Sequence, residues 1–275
     1  MTHPAAVRHR HGRGTIPWGL YVPAFLGLAL LILPILGLIS RADWPRVPAA
    51  ITSPEAVDAL ALSLRTSAVA TVVCLVLGLP LALMIARSGP RLAGVLRAFT
   101  TLPLVMPPLV GGIALLYLLG RNGLVGGFLD LAFGIRIPFT TAAVVIAQSF
   151  VALPFLVISV EGALRTAGTR FESVAATLGA GRWTVFRRIT VPLVLPGLMA
   201  GTVLCFARAL GEFGATALFA GNAEGVTRTM PLAIYTAFNG AGVSQDSAIA
   251  LSLLLVVVAI VILLLLRSWR TEAAR

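Results

Sequence analysis

At 275 residues the chain is 58% hydrophobic and only 11% charged, a balance that excludes a soluble globular domain of ordinary make-up. Its net charge of +11 rests on 21 basic residues, all arginine, and in so apolar a chain that excess points to membrane orientation rather than to nucleic acid. Cys74 and Cys205 lie inside apolar runs without metal-ligand spacing, and His3, His9 and His11 all sit near the N-terminus, which removes most metal and acid–base chemistry from the core.

Taken in order, residues 1–15 read as a basic tail. Residues 16–39 form the first apolar run, too long for a signal-peptide core and without a cleavage site, so it stays as a span. The second span is expected over 58–86, with Asp58 and Arg65 in its first turns, close enough to the interface to snorkel. The third, 98–119, opens through Pro103, Pro107, Pro108, Gly111 and Gly112. Prolines and glycines there should kink or unwind the helix, which lipid tolerates only where protein or a water-filled path covers the freed backbone groups. The fourth span is 138–160, interrupted by Pro154. A fifth is expected as one long segment, 192–220, whose glycines (Gly197, Gly201, Gly211, Gly214) permit close helix contact. The sixth, 247–266, is uniformly aliphatic and is expected to stop at Arg267 and Arg270, leaving 268–275 as a second tail.

The fold class expected is therefore an all-α membrane protein with six transmembrane helices, spanning 16–267 as one domain. Six spans put both termini on one side. With that side assigned to the cytoplasm, the outer links hold only Arg41, Arg46, Arg121, Arg136 and Arg228, while Arg65 and Arg208 lie within spans. The remaining 14 of the 21 arginines then face inward, and the positive-inside rule fixes the orientation as a multi-pass protein of the plasma (inner) membrane with both termini cytoplasmic.

The longest break between apolar segments on the cytoplasmic side is 161–191. It carries Arg165, Arg170, Arg182, Arg187 and Arg188 against Glu161 and Glu172. Phe171, Val174, Ala175 and Leu178 recur at three- and four-residue spacing, so a short helix over about 168–178 presents them on one face. Gly179-Ala180-Gly181 supplies the turn that ends it, with positive φ expected at Gly179. A second basic turn (Trp183, Val185, Phe186, Ile189) runs into Pro192, where the next membrane helix is expected to begin. Such a surface helix, held between two spans, is built to be gripped by another protein.

Ala175, Gly179, Ile189 and Pro192 resemble the cytoplasmic coupling loop of ABC importer permeases, written EAA, three residues, Gly, nine residues, Ile-x-Leu-Pro. The spacing from Gly179 to Ile189 and Pro192 matches. The Glu position holds Ser173, with Glu172 one place early; the first Ala is Val174 and the Leu is Val191. A second likeness lies in FARALGEFGATALFAGN followed by TRTMPLAIY, which resembles the fifth span and outer loop of molybdate permease subunits and, less closely, of sulfate permeases. Together with LPLVMPPLVGGIALLYLLGRNG it covers most of 55–265. The resemblance implies the type I ABC importer permease fold and a permease subunit that translocates molybdate, or tungstate, with a sulfate or other oxyanion permease as the alternative. It implies as partners a second copy of the chain, ATP-binding cassette ATPase subunits and an extracytoplasmic molybdate-binding protein. ATPase coupling would fall on Glu172, Ser173, Ala175, Ala176, Gly179, Ile189 and Pro192, and Glu172→Ala is expected to act mildly because it stands off the pattern.

Residues for the translocation path or gate come from the breaks and from charge at membrane depth: Pro107, Pro108, Gly111, Arg208, Glu212 and Gly214. Arg208 and Glu212 stand four apart and can pair on one helix face, and an ionisable pair at that depth is a functional candidate. Arg65, Arg208 and Arg228 could lower the barrier for a dianion. No catalytic or metal site is expected, since the spans hold no HExxH, paired Asp or His. A secondary transporter would show internal repeats and membrane-centred ion ligands, and neither is present. There is no Walker A pattern and no lysine to complete one, so no cofactor is expected on this chain and ATP belongs to a partner.

Overall fold

The computed structural model describes residues 17–240 and 245–272, which are helical almost throughout and contain no strand. The tail 1–15 lies outside the described residues. The chain divides into two units at Ala42. In the first, a 3-10 turn (Trp18–Leu20) leads into helix α1, Tyr21–Ser40. None of its residues is buried and it is apolar on every face, which suits a helix whose solvent is lipid.

The second unit is built on α3 (Pro54–Arg87), α7 (Thr141–Ala167) and α10 (Val191–Leu210). Helix α3 starts where Ser53 caps it, the Ser53 hydroxyl accepting the Ala56 N–H at 3.2 Å, with Pro54 and Glu55 completing a favourable first turn. Thr140 caps α7 in the same way. At 34 residues α3 is about 50 Å long, more than a bilayer core requires. Its buried face is a line of small side chains: Ala59, Ser63, Ser67, Ala70, Cys74, Gly78 and Ala82. Without a hydrophobic drive between helices in lipid, close backbone approach supplies the attraction, and small residues permit it. A Cβ at Gly78 would stand 2.9 Å from Leu156 of α7, and one at Gly201 of α10 would stand 2.9 Å from Ser159. Around this centre Ile85, Leu156, Val160, Leu164 and Val194 close the apolar core.

The break expected in the third span is present: α4 (Pro90–Val105) and α5 (Pro108–Leu119) meet at 113°. Consecutive Pro107 and Pro108 withhold two N–H donors, and Met106 before them takes extended backbone (ψ 133°), so the turn cannot propagate. The fifth segment neither starts at 192 nor runs to 220. It is continuous from Arg182 through α9 (Arg182–Val185) and one π turn, Phe186–Thr190, into α10. The wide turn, closed by the Val191 N–H on the Phe186 carbonyl, makes room for the Pro192 ring that would otherwise strike the preceding turn. Helix α10 then stops at Leu210, and a separate helix, α11 (Gly214–Phe219), follows. The last helix, α13 (Gln245–Glu272), carries on as a helix past the expected end of the sixth span at 266, since arginine is a good helix former.

The links 40–57, 120–137 and 221–246, expected to face outward, are themselves structured. They carry α2 (Val47–Ile51), α6 (Gly126–Phe133) and α12 (Met230–Asn239). Asp130 ties the second link by pairing with Arg136 at 3.0 Å and Arg121 at 3.2 Å, and the Arg136 hydrogen bond, ahead of Arg121, holds its carboxyl below the usual carboxylate range.

Candidate functional site

An elbow between α7 and α10 is assembled from α8 (Arg170–Thr177), α9 and the π turn. Helix α8 closes on Gly179, whose φ is +82°. The Gly179 N–H donates to the Ala176 carbonyl and the Ala180 N–H reaches back to the Ala175 carbonyl, each at 3.0 Å. That crossed pair is the Schellman arrangement, which requires a left-handed residue at this position. Thus Ala175 and Ala176 act through their carbonyls, and Ser173 closes on itself, donating to the Thr169 carbonyl at 3.0 Å. Phe171, Val174 and Leu178 point outward together, Leu178 being 82% exposed. Trp183 is exposed too, against Phe186 at 5.2 Å between ring centroids. Ile189 is half-buried in the π turn, and Pro192 sits at the start of α10.

Glu172 is pinned rather than free. It pairs with Arg87 at the last turn of α3 (2.5 Å) and accepts the Thr190 hydroxyl at 2.8 Å. One carboxylate therefore joins the elbow, the C-terminal end of α3 and the root of α10, beside an open cleft of about 800 Å³. A second knot lies close in sequence: buried Glu161 of α7 takes Arg97 of α4 through two nitrogens, at 2.5 and 3.3 Å, and Arg165 at 2.7 Å. Nothing local in the sequence announces Arg87, Arg97 or Thr190. Their partners are 85, 64 and 18 residues away.

Away from the elbow, part-way along α7, the two helix breaks meet. Gly214, at the start of α11, lies so close to α5 that a Cβ there would stand 2.9 Å from Pro108, and a Cβ at Gly112 would stand 2.9 Å from the Ala215 carbonyl oxygen. Gly111 faces Phe150 of α7 at 3.0 Å on the same measure. Pro107 caps α5, Pro108 opens it, and both are placed by the bend. The structure thus brings Pro107, Pro108, Gly111 and Gly214 into one junction. Arg208 and Glu212 flank it: their charged atoms are 2.6 Å apart across the end of α10, and Glu212 is 1% exposed. The other Glu212 oxygen accepts the Ala215 N–H at 2.8 Å, so the carboxylate staples α10 to α11.

The other two arginines expected along a dianion path are placed differently. Arg228 is saturated within its own loop by Glu224, the Asn222 side chain and the Asn222 carbonyl. Arg65 stands on an exposed strip of α3 with Val69, Val72 and Val76 and meets no partner among the described residues. Among those residues no group of three or more His, Cys, Asp or Glu is arranged to hold a metal.

A bundle of apolar helices, two of them broken, with an exposed amphipathic elbow on one side, defines a multi-pass membrane permease. Residues 78–271 match the family described as binding-protein-dependent transport system inner membrane components, and the chain belongs to that family. It is a permease component, and ATP hydrolysis is carried by a separate subunit. Among curated proteins it is 55% identical over 244 residues to the molybdenum transport system permease protein ModB of Mycobacterium tuberculosis, covering 89% of this chain and 91% of that one. The protein of the same name from Escherichia coli K12 is 42% identical over 198 residues, covering 72% and 86%. Among solved structures the fold is similar to a bacterial ABC transporter involved in import of the acidic polysaccharide alginate, with a TM-score of 0.69, 21% identity, and 94% and 96% of the two chains covered. It is similar as well to the MetNI methionine ABC transporter in inward-facing conformations, at a TM-score of 0.63 and 18% identity, with 80% and 96% covered.

Proposed function

We propose that this chain is the membrane-spanning permease subunit of an ATP-driven importer that carries molybdate, and tungstate with it, across the plasma membrane. The observation that carries the reading is 55% identity across 89% of the chain to a molybdenum transport permease. The working assembly is two copies of this chain, two ATP-binding cassette subunits and an extracytoplasmic molybdate-binding protein, with ATP held on the ATPases and no cofactor here. Both termini and the elbow face the cytoplasm, a placement favoured by the arginine distribution.

In mechanical terms the elbow receives the ATPase stroke. Phe171, Val174 and Leu178 enter a groove on the ATPase, as an amphipathic helix enters a hydrophobic groove elsewhere. Gly179 and the Schellman closure set the helix angle, while Glu172 passes displacement to α3 through Arg87 and to α10 through Thr190. Glu172, Ser173, Ala175, Ala176, Gly179, Ile189 and Pro192 are therefore the coupling set. The junction of α5 and α11, with Pro107, Pro108, Gly111, Arg208, Glu212 and Gly214, is the gate, since it is where non-helical backbone sits at membrane depth.

The test is a gene deletion scored on two media. A molybdenum-cofactor defect relieved by excess external molybdate is expected. Relief by a reduced sulfur source, with molybdoenzymes unaffected, would move the substrate to sulfate.

A further inference from the structure

We infer that Arg208 is the cation that contacts the translocated dianion, and that Glu212 is its removable internal counter-ion, filling the place of the anion between transport events. The inference rests on the permease reading above and adds a named contact to it.

Three arginines are candidates, and their surroundings separate them. Arg228 has its donors engaged by Glu224 and Asn222, so an incoming anion would have to displace several bonds at once. Arg65 is exposed on an aliphatic strip of α3 formed with Val69, Val72 and Val76. It sits about 17 Å from the outer end of a helix about 50 Å long, and its side chain leans toward that end, which is the geometry of snorkelling to the interface. Arg208 remains. It meets one partner among the described residues, Glu212, through one guanidinium nitrogen, and its side chain keeps 25% exposure beside the helix break. A guanidinium has five N–H donors in a planar fork suited to a tetrahedral oxyanion, and most of this one are unspent.

Glu212 has the converse character. It is 1% exposed, and its second oxygen is already committed to the Ala215 N–H. A buried carboxylate is costly without a cation, and an arginine at membrane depth is costly without an anion, so each neutralises the other while the path is empty. The pair also straddles the break: Arg208 belongs to α10, whereas Glu212 lies past its end and is bonded to α11. Movement of α11 against α10 must therefore change the distance between the two charges. A dianion arriving at Arg208 and a hinge opening at Gly211–Phe213 are then one event seen from two sides, because whichever occurs first weakens the contact that opposes the other.

The experiment uses the purified permease–ATPase complex in detergent and radiolabelled molybdate in equilibrium dialysis. Glu212→Gln keeps the shape of the side chain and its acceptor for Ala215 while removing the competing charge. It should tighten molybdate binding at least about tenfold, in keeping with the worth of a close charge pair. Arg208→Gln should abolish binding, and Arg208→Gln with Glu212→Gln should behave as Arg208→Gln alone. Glu212→Asp, which retracts the carboxylate without removing it, should fall between wild type and Glu212→Gln, and it serves if the glutamine variant does not assemble. Molybdate affinity unchanged in both Glu212 variants, or weakened as much as in Arg208→Gln, would overturn the inference and leave an ordinary structural ion pair. Failure of the substrate assignment looks different: the wild-type complex with its binding protein would import sulfate and not molybdate, and the same dialysis with labelled sulfate would then read the Arg208 and Glu212 variants.

Discussion

Replacing Gly179 by valine isolates the elbow from everything else in the molecule. No atom outside its chain neighbours lies within 4 Å of where the new Cβ would sit, so the perturbation is conformational and not steric. At φ +82° a side chain costs about 1–2 kcal/mol, more for a β-branched one. If the residue escapes to negative φ instead, the bonds from Gly179 to Ala176 and from Ala180 to Ala175 are lost, at about 0.5–1.5 kcal/mol each. Either route destabilises the docked form of α8 by about 2 kcal/mol, roughly a thirtyfold change in its population. A graded series follows from the same geometry. Asn tolerates left-handed backbone and should approach wild type, Ala should show about a third to a half of the effect, and Val the whole of it. The assay is co-purification of the permease with its ATPase, followed by hydrolysis stimulated by the binding protein. Membrane insertion should be unchanged in all three variants. Normal recovery and normal stimulated hydrolysis in Gly179→Val would refute the assignment of this elbow as the coupling element.

Glu172→Ala, expected from motif position to act mildly, should instead impair coupling, because its removal strands partly exposed Arg87 and buried Thr190 at a cost of about 1–2 kcal/mol. Arg87→Ala should reproduce the defect, and the double variant should be no worse than either, which a double-mutant cycle on stimulated hydrolysis would read. For topology, cysteines placed at Leu131, which is 91% exposed, and at Arg182, in a background lacking Cys74 and Cys205, should differ in intact cells: a membrane-impermeant thiol reagent should label only Leu131→Cys. Labelling at Arg182 from outside would reverse the orientation. Gly112→Ala places a methyl 2.9 Å from a backbone oxygen of α11 that cannot swing aside, so it should cost about 1–3 kcal/mol in thermal stability or splay the α5–α11 junction. An unchanged melting temperature with unchanged uptake would show that the junction has slack.

What the linear sequence reveals here is what depends on near neighbours. The helix before Gly179, the positive φ at that glycine, and the pairing of Arg208 with Glu212 all follow from residues within one or two turns, and the structure contains each of them. The small residues on α3 follow a helical period and are equally readable once a span is recognised. Bends and distant partners are a different matter. That Pro107 and Pro108 disrupt a helix is local, but the 113° that results is set by how α5 packs on α11 and α7. The π turn has no composition of its own, and Glu172 finds Arg87 only because α3 and the elbow end at the same level. Counting along the pattern put the family's glutamate position on Ser173, one place past Glu172, and the contacts that give Glu172 weight come from packing.

The π turn at Phe186–Thr190 can be thought of as a phase offset. A π turn holds one residue more than an α turn, so each residue before it is displaced by about 100° in azimuth from where an uninterrupted α-helix would put it relative to α10. The direction in which Trp183 and the elbow project from the membrane helix is thus encoded in a single extra residue. Deleting one residue between 186 and 190 would shorten the fifth segment by that residue alone, yet it would aim the elbow at a different quarter of the ATPase. Insertions and deletions in this stretch are therefore discrete steering moves, whereas an exchange of side chains leaves the direction unchanged.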